Sequence, residues 1–288
     1  MNFRFASWNV RNIGGVVEAD RLLRLIEAQK PDLLALQEVN PKFHVKLASE
    51  GNFAWSACSL TLRRPSAGEP SDRKRGCSIF GRGPFVLSWL SLLNVVWCPE
   101  QTLVADLHCP AGPLVACSFH TPPGASHGDK KSRFLRAVAE WLAPRGSQTV
   151  FGVDANAPKT DHPNVTQNKW WRAGEPELLG SPEGKPPRRL HKLEDTLRAY
   201  LAANPEEMSK IESERPNGPL AVSYDRGHKG KKAFCRYDFI YATPDITVKR
   251  VCYLYDESRE AGSDHGMVIA DLELPERPTG HCPTGGTL

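Results

Sequence analysis

The chain has 288 residues, of which 40% are hydrophobic and 24% charged, with a formal net charge of +4; this is the composition of a soluble globular protein of one large or two small domains. No stretch approaches the ~20 apolar residues that cross a bilayer, which excludes a membrane-spanning protein. The first residues lack the apolar core of a secretory signal, so we predict a cytoplasmic protein without stable membrane association.

The first elements form a strand–helix–strand unit. Phe3–Asn9 alternates in the manner of a strand, and Val16–Gln29 has apolar residues at helical spacing. We expect this helix to end at Lys30-Pro31, because the residue before a proline disfavours the helical conformation. Leu33–Glu38 is a short, continuously apolar strand, as expected where both faces of a sheet are covered.

The middle of the chain predicts an antiparallel meander. Short apolar runs are separated by turn residues, which is typical of strands joined by hairpins. These runs are Ser78–Phe80, Phe85–Leu90, Leu92–Cys98, Thr102–His108 and Leu114–His120.

Helices and strands alternate through the rest of the chain. The predicted helices are Asp129–Leu142, Leu193–Ala203 and Glu206–Glu214, and the predicted strands are Val150–Val153, Phe234–Ala242, Ile246–Tyr255 and Met267–Leu274. Residues 157–190 are rich in proline, glycine and charge and predict a long loop of the kind that is usually functional or mobile. The pattern favours two packed sheets with helices outside them, in one domain over 1–275, followed by a disordered tail over 276–288.

The eight cysteines do not predict a disulfide framework, because the chain has no C-x-x-C pair and no export signal. We expect reduced structural thiols. His108, Cys109, Cys117 and His120 flank one turn and are residue types that bind zinc. Adjacent residues of a hairpin strand point to opposite faces, so these four side chains are not expected to converge on a metal.

Basic residues cluster in segments rich in Gly, Pro or Ser, which are therefore loops. Such loops suit a polyanionic ligand such as nucleic acid or a phosphorylated headgroup, although solvated loops are often basic for solubility alone. The clusters are Arg63-Arg64, Arg73-Lys74-Arg75, Lys185 with Arg188-Arg189, and Arg226 with Lys229, Lys231 and Lys232.

Several apolar strands end in an acidic, amide or imidazole side chain. Asn9, Glu38 and His120 end three predicted strands, and Asp154 and Asn156 follow a fourth. Chemistry built from the ends of several strands is how an α/β scaffold makes an active site. Each residue taken alone also has an ordinary interpretation, as a turn, capping or hydrogen-bonded structural residue.

Two segments near the C terminus extend this pattern. Asp238 lies in an otherwise apolar strand and needs a buried partner, which the imidazole of His265 would supply while becoming more basic. Asp264 precedes that histidine. Oxygen-rich ligands favour Mg²⁺, or Mn²⁺ as the alternative, over zinc. A hard cation with a His–Asp base is the equipment for hydrolysing a phosphate ester.

Six short motifs occur in order over nearly the whole chain, between residues 3 and 274. They are Ser7-Trp8-Asn9, Leu36-Gln37-Glu38, Phe119-His120, Gly152-Val153-Asp154-Ala155-Asn156, Tyr237-Asp238 and Ser263-Asp264-His265. In order and style they resemble the endonuclease/exonuclease/phosphatase superfamily, the pancreatic-deoxyribonuclease-like fold. The resemblance implies an α/β fold, a four-layer sandwich with two central mixed, largely antiparallel sheets flanked by helices. It also implies a divalent-metal phosphodiesterase or phosphomonoesterase.

The resemblance also implies a metal site. Glu38 would bind Mg²⁺, with Asn9 and Asp264 nearby.

The same resemblance implies the catalytic roles. Asp238 would orient His265, the base that activates water, while Asp154 and Asn156 would position the attacking water and the phosphate. His120 would contact the scissile phosphate or protonate the leaving oxygen.

The chain departs from the family pattern at two points. Gly152-Val153-Asp154-Ala155-Asn156 has one residue inserted after the glycine, although the Asp-x-Asn run is intact. His120 resembles the branch that contains deoxyribonucleases, sphingomyelinases and inositol phosphatases. In the deoxyribonucleases a glutamate supports this histidine; Glu69 and Glu100 are candidates here, but neither aligns convincingly.

Three functions stay open. We favour a monomeric, metal-dependent nuclease acting on DNA or RNA, for which Trp170-Trp171 would stack on bases, unless these tryptophans simply anchor their loop. The alternative keeps the chemistry and changes the substrate to a phospholipid headgroup or small phosphorylated metabolite. A catalytically silent binding module would lack a ligand or a base, and none of the core residues is absent from the sequence.

Overall fold

The computed structural model describes residues 1–13, 15–66, 68–69, 71–146, 148–183, 187–227 and 231–275. The predicted disordered tail, 276–288, lies outside the described residues, as do Lys185 and Lys229 of the basic loops. None of the helices within the described ranges combines the length and the apolar character needed to cross a membrane.

The strands follow the chain as mostly short segments. They are β1 (Asn2–Asn9), β2 (Leu33–Val39), β3 (Trp55–Cys58), β4 (Gly76–Gly81), β5 (Val86–Ser91), β6 (Thr102–Cys109), β7 (Gly112–His120), β8 (Thr149–Asp154), β9 (Glu194–Asp195), β10 (Tyr224–Asp225), β11 (Phe234–Cys235), β12 (Asp238–Ala242), β13 (Thr247–Leu254) and β14 (Met267–Glu273).

The helices alternate with these strands. They are α1 (Val16–Gln29), α2 (Pro41–Glu50), α3 (Ser59–Leu62), α4 (Gly124–His127), α5 (Asp129–Leu142), α6 (Glu175–Leu179), α7 (Thr196–Ala203), α8 (Pro205–Glu214) and α9 (Tyr255–Ala261). Short 3₁₀ turns lie at Ser71–Lys74, Pro99–Gln101 and Val165–Gln167.

Two six-stranded sheets form the centre of the fold. Their strand orders are β13-β14-β1-β2-β4-β3 and β5-β6-β7-β8-β12-β9, and β10 pairs separately with β11. Each large sheet contains one parallel pair, β1 with β2 and β7 with β8, while the other neighbours are antiparallel. Helices join the strands of both parallel pairs, as parallel connections require. The prediction of mixed, largely antiparallel sheets is confirmed.

Three apolar clusters define four layers. The first lies between the sheets and includes Phe5, Ile79 and Val150. A second packs α5 and α6 against the outer face of the second sheet, and a third packs α1 and α2 against the outer face of the first. In α5, Phe134, Val138 and Leu142 recur every four residues and are buried, which explains why this segment is a helix. The predicted four-layer sandwich is therefore confirmed.

One predicted strand is wrong. Residues Leu92–Cys98 form turns, because β5 ends at Ser91 and the backbone amide of Leu93 donates to the hydroxyl of Thr102 at 2.9 Å. Leu93, Val96 and Cys98 of this run pack against the second sheet while Val95 is exposed, which is not the two-residue alternation of a strand.

Other boundaries moved for local reasons. Phe234–Ala242 divides into two strands, β11 and β12. Arg236 lies between them, and its guanidinium group forms a buried ion pair with Asp195. Tyr255, predicted to end a strand, instead begins α9, which ends at Gly262 in the left-handed region at φ 113°. The predicted loop 157–190 contains the short helix α6.

Helix α2 was missed although its signal is present. The Asn40 side chain accepts a hydrogen bond from the amide of Phe43 at 2.9 Å, and proline occupies the first helical position.

Candidate active site

The alternation of β1 carries polar side chains into the space between the sheets. Phe3 and Phe5 belong to the core between the sheets, so Ser7 and Asn9, two and four residues further on, face the same way. Both are buried. The inward row of β1 therefore changes from apolar to polar at one end of the sandwich.

Three neighbouring strands of the second sheet place a row of titratable groups opposite. Asp154 of β8 is the register partner of His120 in β7 and of Asp238 in β12. Because the strands are in register, the three side chains lie on one face, and all three are buried.

Gly152 lets the two sheets approach closely at this point. A Cβ on Gly152 would lie 2.3 Å from Oγ of Ser7, which no side chain tolerates. Two residues later, Asn9 Nδ2 donates to Asp154 Oδ2 across the gap at 2.8 Å. The insertion after this glycine in the sequence motif leaves the contact between the sheets intact.

Asn156 holds the other side of the Asp154 carboxylate. Its backbone amide donates to Asp154 Oδ1 at 2.9 Å, and its side-chain amide donates to the carbonyl of Thr121 at 2.9 Å. Asn156 has a positive φ of 48°, which is uncommon outside glycine and is often found at functional sites. Asp154 is thus fixed by a donor from the first sheet and by donors from the segment that follows β8.

His265 and Asp238 form a direct pair. Nδ1 of His265 lies 2.9 Å from Oδ2 of Asp238, and Nε2 lies 3.8 Å from Oδ2 of Asp154. Trp8 Nε1 donates to the carbonyl of His265 at 2.8 Å, and the ring of Tyr224 lies 4.7 Å from the imidazole, centroid to centroid. The imidazole is therefore fixed from the backbone and from one ring face.

Burial and neighbouring charges shift the pKa values of this pair. Burial raises the pKa of Asp238 to about 6, partly opposed by His265. Burial alone would lower the pKa of His265, but the carboxylates of Asp238 and Asp154 outweigh it and raise that pKa to about 10. The two carboxylates thus stabilise the protonated form of His265.

His120 is oriented by Gln101, which the sequence analysis did not identify. The Gln101 amide nitrogen donates to the carbonyl of Arg75 at 3.0 Å, so its oxygen faces Nδ1 of His120, 2.6 Å away, and accepts a hydrogen bond from that N–H. The candidates Glu69 and Glu100 are instead paired with Arg63 and Arg73, respectively. These last four side chains form a separate ionic cluster.

The other imidazole nitrogen of His120 faces carboxylates. Nε2 lies 3.4 Å from Oε1 of Glu38 and 3.6 Å from Oδ2 of Asp154. It is buried and has no hydrogen-bond partner within the described residues. A buried polar atom in this state points to a ligand at the position it faces.

Glu38 and Asp264 lie at the edge of the group. Glu38 has a positive φ of 53°, and its carboxylate is paired with Arg75. Asp264 joins the site through Arg11, whose Nε lies 3.6 Å from Asp264 Oδ2 and whose backbone amide donates to Asn9 Oδ1 at 2.8 Å. The structure therefore brings seven of the eight predicted residues into one contact network and links Asp264 to it indirectly.

The donor set suits a hard cation. Within the described residues, Asp154, Asp238 and His265 offer ligand atoms within 4.8 Å of one another. Asp238 is already engaged by His265, however, and Asp154 by two amides, so a cation between them would break these contacts. Glu38 is partly exposed and is paired with Arg75. Carboxylate and amide oxygens, such as those of Glu38, Asn9 and Asp264, are the ligands that Mg²⁺ and Mn²⁺ prefer.

Two cavities flank this network. One of about 270 Å³ is lined by Glu38, His120 and Trp97, and one of about 450 Å³ by Asn156 and Trp171. A larger cavity, of about 830 Å³, lies between α7, α8 and β13 and contains none of the predicted site residues. Size alone therefore does not locate the site, and the polar network does.

The family model described as the Endonuclease/Exonuclease/phosphatase family matches residues 6–265. A humanized TDP2 of D. rerio aligns with TM-score 0.65 and 16% identity over 94% of this chain and 99% of that chain. D. rerio TDP2 complexed with single strand DNA product aligns with TM-score 0.64 and 17% identity over 94% of this chain and 99% of that chain. An endonuclease/exonuclease/phosphatase from Bacteroides vulgatus aligns with TM-score 0.60 and 16% identity over 96% of this chain and 100% of that chain. The search of curated proteins gives no match.

Proposed function

Because the chain belongs to the endonuclease/exonuclease/phosphatase family, we propose that it is a divalent-metal-dependent phosphodiesterase that cleaves DNA or RNA. The observation that carries this proposal is the His265–Asp238 pair, 2.9 Å apart, beside Asp154 and facing His120. A base, its orienting carboxylate and an unpaired imidazole nitrogen around one space are the parts needed to attack a phosphate ester with water.

Glu38, Asn9 and Asp264 would hold the cation. Their oxygen atoms are the ligands that Mg²⁺ and Mn²⁺ prefer, and Glu38 would exchange its contact with Arg75 for the metal. When bound, the cation offsets the negative charge of the phosphoryl oxygens. Arg75 is then free to contact a phosphate oxygen.

The chain's own groups perform the proton transfers. The neutral form of His265 is the base: its Nε2 takes a proton from a water held by Asp154, while Asp238 keeps the other nitrogen protonated and stabilises the imidazolium. The water oxygen forms a bond to phosphorus as the ester P–O bond breaks. Nε2 of His120 contacts the scissile phosphate, or the histidine protonates the leaving oxygen. Asn156 positions the phosphate from the opposite side.

Charge near the site supports a polyanionic substrate. Arg75, which a cation would release from Glu38, lines the cavity beside Glu38, and Arg172 lines the cavity beside Asn156, while Arg73 and Lys131 are already paired with Glu100 and Glu175. Cationic side chains on both sides of a scissile phosphate favour a ligand that carries phosphates in both directions. The D. rerio TDP2 relative, crystallised with single strand DNA product, supports the same substrate class.

Hydrolysis assays test the proposal. Plasmid DNA, RNA and bis-p-nitrophenyl phosphate are incubated with Mg²⁺, Mn²⁺ or EDTA, using the wild type, Asp154→Ala and His265→Ala. We expect metal-dependent cleavage of nucleic acid that both substitutions abolish. Cleavage of the small diester alone would preserve the chemistry and refute the nuclease assignment. Failure on all three substrates would refute the phosphodiesterase.

A further inference from the structure

The cavity of about 450 Å³ beside Asn156 is lined by residues that take no part in the proton transfers proposed above. Trp171 lines it, and 45% of this residue is exposed to solvent. Its neighbour Trp170 packs against the apolar cluster under α5 and α6 and anchors the loop. The two tryptophans therefore differ, and anchoring does not account for the exposed one.

Trp171 is held at a fixed position relative to Asn156. Its backbone amide donates to Glu175 Oε2 at 2.8 Å, and Glu175 Oε1 accepts from Nζ of Lys131 at 2.7 Å. The same Nζ donates to the carbonyl of Asn156 at 2.7 Å. Lys131 and Glu175 are almost fully buried. An exposed aromatic ring tied through a buried ion pair to a predicted phosphate-contacting residue is a positioned surface, and not a solvated loop tip.

The surroundings of Trp171 are cationic. Nζ of Lys159 and the guanidinium carbon of Arg226 lie over the indole ring, 5.0 and 4.9 Å from its centre. Both residues line an adjoining cavity of about 390 Å³ and not the cavity beside Asn156. Arg172 lines the cavity, and no acidic residue of the described chain does. Tyr237 supplies a second aromatic wall. A flat aromatic group flanked by phosphates complements this combination.

We propose that the Trp171 cavity binds one unstacked base of a single-stranded nucleic acid, at a fixed number of nucleotides from the scissile phosphate. This inference rests on the proposed phosphodiesterase function and specifies its substrate. A duplex presents no free base face to an indole, whereas a single strand does. An inositol or choline headgroup carries no ring that stacks, and an acyl chain gains nothing from three neighbouring cations.

An abasic scan tests the proposal. End-labelled single-stranded 20-mers, each with one abasic site at a different position, are cleaved with Mg²⁺ and the products mapped on a gel. For the wild type we expect cleavage to fall roughly 5- to 150-fold at the one bond that lies at a fixed offset from the abasic site. In Trp171→Ala we expect this bond to be cut at the same low rate in the intact and the abasic oligonucleotide. Trp171→Phe should restore most of the difference in rate between the two oligonucleotides.

Trp89→Ala is the matched control, because Trp89 is 67% exposed on β5 and lines neither flanking cavity. It should reproduce the wild-type pattern. If the offset effect persists in a folded Trp171→Ala protein, or if the wild type cleaves single strands with no offset effect, the base site is refuted while the nuclease stands. If the wild type cleaves no nucleic acid, both proposals fail together.

Discussion

Nδ1 of His265 and Oδ2 of Asp238 lie 2.9 Å apart although 27 positions separate them in the chain, and both side chains are buried. The carboxylate sits on β12 and the histidine precedes β14, so the contact joins the two sheets of the sandwich. The same carboxylate contributes to the raised pKa of the imidazole. The pair is therefore both a structural link and the proposed base.

Asp238→Asn should reduce turnover by about 10²- to 10⁴-fold. The amide keeps the size of the side chain but cannot stabilise the imidazolium that forms when His265 takes a proton. Steady-state hydrolysis of bis-p-nitrophenyl phosphate measures the effect. Asp245→Asn, in the exposed turn after β12, is the matched control. Equal turnover in the two variants would remove His265 from the role of base.

Gln101 should matter through His120. Gln101→Leu removes the acceptor 2.6 Å from Nδ1, so the ring loses its tautomer and orientation, and turnover should fall about 10- to 100-fold. Gln101→Glu keeps an acceptor and should retain most activity. Measuring kcat and KM for Gln101→Leu and Gln101→Glu separates this positioning role from loss of fold. If Gln101 were merely structural, both substitutions would lower the amount of active enzyme alike.

Much of the site followed from local sequence. Asn9, Asp154 and His120 end apolar strands, and a strand's two-residue alternation already determines which face such a residue takes. The bounds of α1 and α5 were also predicted, because their apolar residues repeat at helical spacing over 14 residues.

Contacts between distant segments were not predictable in this way. Gln101 lies beside Glu100, and the sequence offers no means to tell which of the two faces His120, because a 3₁₀ turn and not a strand carries them. Likewise, Arg75 reads as one member of a basic loop, and only the tertiary structure places it on Glu38.

Glu38→Gln should weaken binding of Mn²⁺ at least about 10-fold, because an amide oxygen replaces the charged ligand. Isothermal titration calorimetry of the purified protein measures this without reference to activity. Glu50→Gln, at the exposed end of α2, should bind as the wild type does. Unchanged affinity in Glu38→Gln would move the metal to the Asp154, Asp238 and His265 group.

Arg236→Met should lower the free energy of unfolding by about 3–5 kcal/mol. Arg236 is fully buried and donates to both oxygens of Asp195, at 2.8 and 2.6 Å, and from Nε to the hydroxyl of Tyr253 at 2.7 Å. Methionine fills similar space but leaves the buried carboxylate of Asp195 with only Arg198, 3.5 Å away, and the backbone amide of Leu197 as partners. Urea denaturation compares it with Arg250→Met on the exposed face of β13, where a change within about 0.5 kcal/mol is expected.

His191 should make the fold sensitive to acid. Its Nε2 donates to the carbonyl of Leu178 at 2.9 Å, and burial, with a smaller contribution from Arg189, lowers its pKa to about 3. The unfolded chain binds this proton near pH 6.5 and the folded chain does not, so stability is complete above that pH and is lost as the pH falls.

Between pH 6.5 and about 3, the free energy of unfolding of the wild type should therefore fall by about 1.4 kcal/mol per pH unit more than that of His191→Gln, which cannot titrate. Urea denaturation at a series of pH values gives both curves. His108→Gln, at an exposed position of β6, should follow the wild type. Parallel curves for the wild type and His191→Gln would mean that the buried imidazole accepts a proton in the folded protein.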